Sequence, residues 1–220
     1  MPEAKPTVFV VDDDDSVRNS LRMLIEAAGW QSELFSSAQA FLARPRMPTP
    51  SCLLLDFALP DINGCDLQRL LADRIDMPII FITGHGDVPM TIRAMKGGAV
   101  DFFTKPFVND VLLSAIRDAI RRSCAVLRSA EYMRELRCNY ASLSPRQREV
   151  MALVVLGRLN KQVGCALGIS EITVKAHRGQ VMQKMNAESV PDLVRMADRL
   201  AFAFASGPEG LARKIASQAG

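Results

Sequence analysis

CLLLDFALPDINGCDL, residues 52–67, opens with four apolar residues that stop abruptly at a carboxylate, Asp56. A short, β-rich apolar run of this kind reads as a buried strand. Similar runs occur at 7–11, 33–35, 78–82 and 100–103. Their spacing is about 20–25 residues, and the stretches between them have helical periodicity. Val17, Leu21, Leu24, Ile25 and Ala28 share one helix face that ends at Gly29. Asp87 followed by Pro89 opens another helix, with proline at an early position where its missing N–H costs nothing, and Gly97-Gly98 closes it. Five alternating strand–helix units with nearly continuous apolar strands predict an α/β domain: a parallel, doubly wound sheet covered on both faces. Reactive groups of such sheets collect beyond the carboxyl ends of the strands.

The whole chain has 220 residues, enough for two modest domains. No apolar run approaches the roughly 18 residues of a membrane span, and the N-terminus lacks the pattern of a signal peptide. The five cysteines (52, 65, 124, 138 and 165) are odd in number and form no C-x-x-C pair. That argues for reduced thiols in the cytoplasm, with neither a disulfide framework nor a zinc site. The net charge of +3 is unevenly spread. Residues 1–121 hold 12 Lys/Arg against 16 Asp/Glu, whereas residues 141–220 hold 11 against 6. The basic back half is the better match to a polyanion.

Residues 109–139 contain neither Pro nor Gly and read as one helix. Leu113, Ile116, Ile120, Cys124 and Leu127 mark its apolar stripe, which thins towards Leu136. The first half completes the α/β domain and the second is a charged helical linker, in which a coiled coil is one alternative. Beyond Leu143 the pattern is all-helical. Ser144-Pro145-Arg146-Gln147 is a capping box with proline at the first helical position. A helix to about Gly157, a short one over 161–167, a turn at Gly168-Ile169-Ser170, a helix over 171–185 and a last helix from Pro191 to Leu200 follow. The expected domains are therefore 6–121, a linker 122–140, a helical domain 141–205 and a loosely held tail 206–220.

The polar residues gather at predicted strand ends: Asp12 and Asp13 after the first, Asp56 at the third, Thr83 at the fourth and Lys105 after the fifth. Three neighbouring carboxylates repel one another unless a cation sits among them. An all-oxygen site that keeps several waters suits Mg²⁺ (or Mn²⁺). Such a site leaves an aspartate oxygen to attack phosphorus, with a Lys ammonium and a Thr hydroxyl as partners for the oxygens of an acyl phosphate. Singly, each residue has a plainer reading: a solvated turn, a helix cap, a Thr-Gly turn. In order, and at strand ends, coincidence is a poor explanation. His85 reads as a loop residue beside the pocket.

VFVVDDDDSVR, CLLLDFALPDINGCDL and IIFITGHGDVPMTIRAMKGGAVDFFTKPF together resemble a response-regulator receiver of the FixJ family, over about residues 6–121. The resemblance implies sheet order 2-1-3-4-5 and makes Asp56 the phospho-acceptor. It makes Asp13 the main metal-binding acid, with Asp12 beside it and the main-chain carbonyl of Ala58 as a further ligand. Thr83 and Lys105 match the phosphoryl-sensing pair, Phe102 the switch aromatic, and Lys105-Pro106 a cis peptide. Ala58 departs from the longer side chain that many receivers carry there.

SLSPRQREVMALVVLGRLNKQVGCALGISEITVKAHRGQVMQKM resembles the LuxR-type helix-turn-helix, over about residues 141–201. At about 100° per residue, Val181 and Met185 share the face of Val174, and His177 lies on that side as a packed or phosphate-facing residue. The opposite face carries Lys175, Ala176, Gly179 and Gln183, with Thr173 near the helix start; these are the candidate base readers. Asn160, Lys161, Arg178 and Lys184 are the candidate phosphate contacts. Gly179 stands where relatives often carry a longer side chain, and Gly164 where Ala is usual.

These resemblances imply a phosphorylation-switched transcription regulator. Its partners would be a histidine kinase, promoter DNA, RNA polymerase as a further contact, and a second copy on phosphorylation, with no membrane. The unphosphorylated receiver would mask the output domain. Two rivals stand beside this reading: a helical domain that docks on protein, and a phosphatase-like enzyme, for which no separate substrate pocket or general base is apparent. Any chemistry would be confined to phosphorylation and dephosphorylation of Asp56 itself.

Overall fold

The computed structural model describes residues 5–84 and 88–206, the side chains of 202–206 excepted. The expectations for Asp87, for His85 and for the tail beyond residue 206 fall outside the described residues.

Five parallel strands, β1 (Thr7–Val11), β2 (Gln31–Phe35), β3 (Ser51–Asp56), β4 (Ile79–Thr83) and β5 (Asp101–Thr104), stand in the order β2-β1-β3-β4-β5. The helices between them are α1 (Asp15–Ala27), α2 (Ala38–Leu42), α3 (Gly64–Leu70) and α4 (Val88–Lys96), and α5 (Asn109–Ala141) follows. Alternation along the strands divides the core in two. Phe9, Val11, Leu53, Leu55 and Phe81 face one layer with Phe41, Leu67 and Ala94 of α2, α3 and α4. Val8, Val10, Leu54, Ile80 and Ile82 face the other, with Leu21 and Ile25 of α1 and Leu112, Ile116 and Ile120 of α5. Both faces are covered, as the continuous apolar strands predicted. Ala28 departs from its expected place on the α1 stripe: it is the exposed C-cap, past the last packed turn.

Ser123 of α5 is fully buried. Its hydroxyl accepts from the Ser51 N–H at 2.9 Å and donates to the Asp76 carbonyl. One side chain thus satisfies the start of β3 and the loop before β4. Cys52, next along β3, is also fully buried, and burial pushes its thiol up to about 12.

The chain divides into two compact units between Ser129 and Ala130, within α5. In the second unit, α6 (Pro145–Val155), α7 (Asn160–Leu167), α8 (Glu171–Met185) and α9 (Val190–Ser206) enclose a core of Val150, Val163, Val174, Val181, Met185 and Leu193. Leu136 is buried in this same core, with Tyr132, Met133 and Tyr140 against it. The residues expected to form a charged linker therefore split, and 130–140 help to build the second core. Their apolar stripe is carried partly by tyrosines, which pack a ring while keeping a polar tip. The Ser144–Gln147 capping box forms as expected, and Gly168 (φ 66°) ends α7 in the left-handed conformation that favours glycine. The last helix runs past Leu200 to Ser206.

Replacing Ser123 by Ala leaves the buried Ser51 N–H and the part-buried Asp76 carbonyl without their partner. The expected loss is about 1–3 kcal/mol in the unfolding free energy, read by urea titration.

Candidate functional site

The four consecutive aspartates after β1 have four different jobs. Asp12 is buried and accepts from the Asp14 N–H at 3.0 Å. Asp13 is exposed. Asp14 caps α1 by accepting from the N–H groups of Ser16 and Val17 at 2.7 and 3.3 Å. Asp15 stands in the first turn and pairs with Arg18, whose guanidinium also donates to the Asp12 carbonyl. The N-terminus of α1, which carries the partial positive end of the helix dipole, directly follows Asp12 and Asp13 in the chain.

Asp56 ends β3 and is 7% exposed. Its Oδ1 accepts from the Ala58 N–H at 3.1 Å, and its Oδ2 accepts from Lys105 Nζ at 2.8 Å. The same ammonium donates to Asp12 Oδ2 at 2.6 Å. Carboxylate oxygens of buried Asp12, exposed Asp13 and buried Asp56 lie within 4.8 Å of one another, an acidic cluster with a donor set suited to a divalent cation. Burial holds the Asp12 carboxyl above its ordinary range, and the hydrogen bond from Lys105 only partly offsets this. Burial also works against the charge on Lys105, but its bonds to Asp12 and Asp56 outweigh that and raise it. The Asp12–Lys105 pair is therefore lost at both ends of the pH scale: as pH falls through the raised Asp12 carboxyl, and as it rises above the ordinary lysine range.

The loop after β5 aims Lys105 inward: its N–H donates to the Thr83 carbonyl at 2.8 Å, and the Lys105-Pro106 peptide is cis, as expected. Thr83 is buried at the end of β4. Phe102 of β5 is partly buried, its ring 6.4 Å from that of Phe81. Ala58 is exposed and bridges to Asn63, which caps α3. Asp12, Asp13, Asp56, Ala58, Thr83 and Lys105 thus all lie at the carboxyl edge of the sheet.

Two supports of this edge escaped the sequence reading. Asp61 accepts from the Gln39 and Ala38 N–H groups at 2.8 and 3.3 Å, so it caps α2 from across the sheet edge. The Gln39 bond first, and the Ala38 bond with it, holds its carboxyl below the ordinary range. That contribution is present above the ordinary aspartate pKa and is lost as pH falls through the lowered one. No local signal announces a cap contributed from 22 residues away. Gly64 is the second. A Cβ there would meet the Asp56 carbonyl at 2.8 Å, a Phe81 ring carbon at 2.9 Å and the Phe57 Cα at 3.0 Å.

In the second unit, Val174, Val181 and Met185 are buried, while Lys175, Ala176, Gly179 and Gln183 are exposed, as the wheel predicted. Thr173 is exposed, with its hydroxyl paired to Ser170 at 2.8 Å. Arg178 donates to Asn160 at 3.0 Å, joining α8 to the start of α7, and Lys161 is exposed beside them. His177 is half-buried with its Nδ1 enclosed and unpartnered, on the packed side as expected. Lys184, expected among the phosphate contacts, is exposed and bonded within its own unit. Its ammonium donates to the Ser142 carbonyl at 2.9 Å and to Gln147 Oε1 at 3.0 Å, so it is tied into its own unit, away from the face of Lys175. At Gly164 a Cβ would stand 2.7 Å from the Ile169 carbonyl.

Adding a methyl at position 64 forces backbone as well as a ring to move. Gly64→Ala is expected to lower the unfolding free energy by about 1–3 kcal/mol, measured by urea titration of the full chain.

Residues 8–117 match the response regulator receiver domain, and residues 141–197 match the bacterial regulatory proteins of the luxR family. The chain is 48% identical to Nodulation protein W of Bradyrhizobium diazoefficiens over 197 residues, covering 89% of this chain and 87% of that one. It is 43% identical to the transcriptional regulatory protein FixJ of Rhizobium meliloti over 192 residues, 87% and 94% of the two chains. The solved structure of the response regulator StyR matches with a TM-score of 0.81 at 44% identity, over 89% of this chain and all of that one. No helix among the described residues is long and apolar enough to cross a membrane. The chain belongs to the FixJ-like response regulators, two-component transcription regulators that join a receiver domain to a LuxR-type helix-turn-helix.

Proposed function

We propose that Asp56 accepts a phosphoryl group from a histidine kinase and that this switches the DNA-binding half on. The observation that carries the reading is the Lys105 ammonium held between Asp12 and Asp56 at the sheet edge, with Asp13 alongside. An Asp56 carboxylate oxygen attacks phosphorus; an O–P bond forms as the N–P bond to the donor imidazole breaks. Asp12, Asp13, Asp56 and the Ala58 carbonyl would hold Mg²⁺ or Mn²⁺, which when bound offsets charge on the phosphoryl oxygens. Lys105 moves from Asp56 Oδ2 to a phosphoryl oxygen, and the Thr83 hydroxyl takes another. Loss of the Lys105 bond to the acceptor carboxylate is the local event that the Phe102 ring, on the strand that leads into Lys105, reports. The activated form is a dimer, which brings two recognition helices to paired half-sites and gains affinity through effective concentration. Lys175 reads base edges with Ala176, Gly179, Gln183 and Thr173 around it, while Asn160, Lys161 and Arg178 position the backbone. The site of action is the cytoplasm, and RNA polymerase is a further partner.

Two measurements test the receiver chemistry. Asp56→Asn is expected to abolish labelling from radioactive acetyl phosphate, whereas labelling that persists would assign the acceptor elsewhere. In isothermal titration, Asp13→Asn is expected to weaken Mg²⁺ about tenfold or more. Lys105→Met is expected to strengthen it, because a competing positive charge is removed from the cluster. For the output half, beryllofluoride with Mg²⁺ is expected to convert monomer to dimer in analytical ultracentrifugation and to tighten promoter binding. That binding should weaken steeply with salt and drop about tenfold with Lys175→Ala. A salt-independent complex would favour the rival reading, docking on protein.

A further inference from the structure

Ile172 is 82% exposed, more than any other large apolar side chain among the described residues. It is the second residue of α8. At about 100° per residue it lies about 20° from Gly179 and Gln183 and about 40° from Ala176, the face opposite buried Val174. Nothing in the fold accounts for a bulky hydrocarbon there. Two polar side chains of α8 are already engaged: Thr173 in its first turn with Ser170, and Arg178 in its middle with Asn160. Ala176 and Gly179 are low, and a Cβ at Gly179 would meet nothing within 4 Å. The exposed face therefore has one cation, Lys175, one amide, Gln183, and an apolar rise at its N-terminal end.

We propose that Ile172 is a specificity-determining residue that reads the C5-methyl group of a thymine in the major groove, with Ala176 one turn on as the floor of the same contact. This deepens, and rests on, the reading of α8 as the DNA-recognition helix. The first turn of such a helix points at base edges, and the thymine methyl is the one apolar feature the major groove offers. A β-branched side chain in a helix keeps essentially one χ1 rotamer, so its methyls are presented with little ordering cost. The low profile of Ala176 and Gly179 lets the helix seat closely enough for a side chain as short as isoleucine to reach.

The test uses the full chain activated with beryllofluoride and Mg²⁺. The bound sequence is first selected from a random duplex library. Each thymine of that site is then replaced singly by uracil, which lacks only the methyl group. Wild type is expected to lose about fourfold in affinity at one thymine per half-site, the worth of one buried methyl. Ile172→Ala should bind thymine and uracil equally at that position, with an unchanged thermal midpoint, whereas Lys175→Ala should keep the thymine preference. If Ile172→Ala retains the preference, or if wild type shows none at any position, the inference is overturned while DNA binding stands. If no duplex is enriched, the DNA-reading assignment of α8 falls, and this inference falls with it.

Discussion

The receiver site depends on one ammonium group. Lys105 is held between two carboxylates that come from different strands, Asp12 after β1 and Asp56 at the end of β3, and its own main chain is fixed to Thr83 at the end of β4. Four strand ends are thereby joined through one side chain and one peptide. Burying a carboxylate such as Asp12 without a partner would be costly, and the lysine reduces that cost without removing it. The pocket is therefore stable enough to fold and still short of positive charge. Its three carboxylates form a donor set compatible with a divalent cation.

Much of this was legible in the chain because the signals are periodic or local. Continuous apolar strands ending at Asp56 and Thr83 announce a doubly wound sheet, and the order of polar residues at strand ends announces the pocket. The Ser144–Gln147 cap and the buried face of Val174, Val181 and Met185 are likewise written within a few residues. What was not legible depends on partners far along the chain. Lys184 is read as a surface cation until its acceptors, Ser142 and Gln147, are seen beside it. Asp61 carries no local signal of its bonds to the N–H groups of Ala38 and Gln39 in the first turn of α2. The run 12–15 shows the limit within a local motif. Composition says only that it is acidic, and the end of β1 decides which carboxylate is buried and which one caps the helix.

The two halves use apolar surface in different ways. In the receiver both sheet faces are sealed, and its reactive groups are confined to the strand ends. In the second unit α8 is apolar on two sides: Val174, Val181 and Met185 hold it to the core, while Ile172 and Ala176 look outwards. A helix whose hydrophobic residues are spread around its axis is poorly described as amphipathic. It is better described as a wedge, fastened on one side and open on the other.

Gln147 has a consequence for how this sequence can drift. Its carbonyl oxygen closes the α6 capping box on the Ser144 N–H and receives Lys184, while its amide nitrogen donates to Gln180 Oε1 at 2.9 Å. Glutamate is its isostere and would keep the first two contacts, with a full charge facing Lys184. It would also set an acceptor against an acceptor, unless the Gln180 amide rotates to present its nitrogen. Exchange at this position is therefore conditional on a residue 33 places away. Lineages can cross between the two states only where position 180 tolerates either amide orientation.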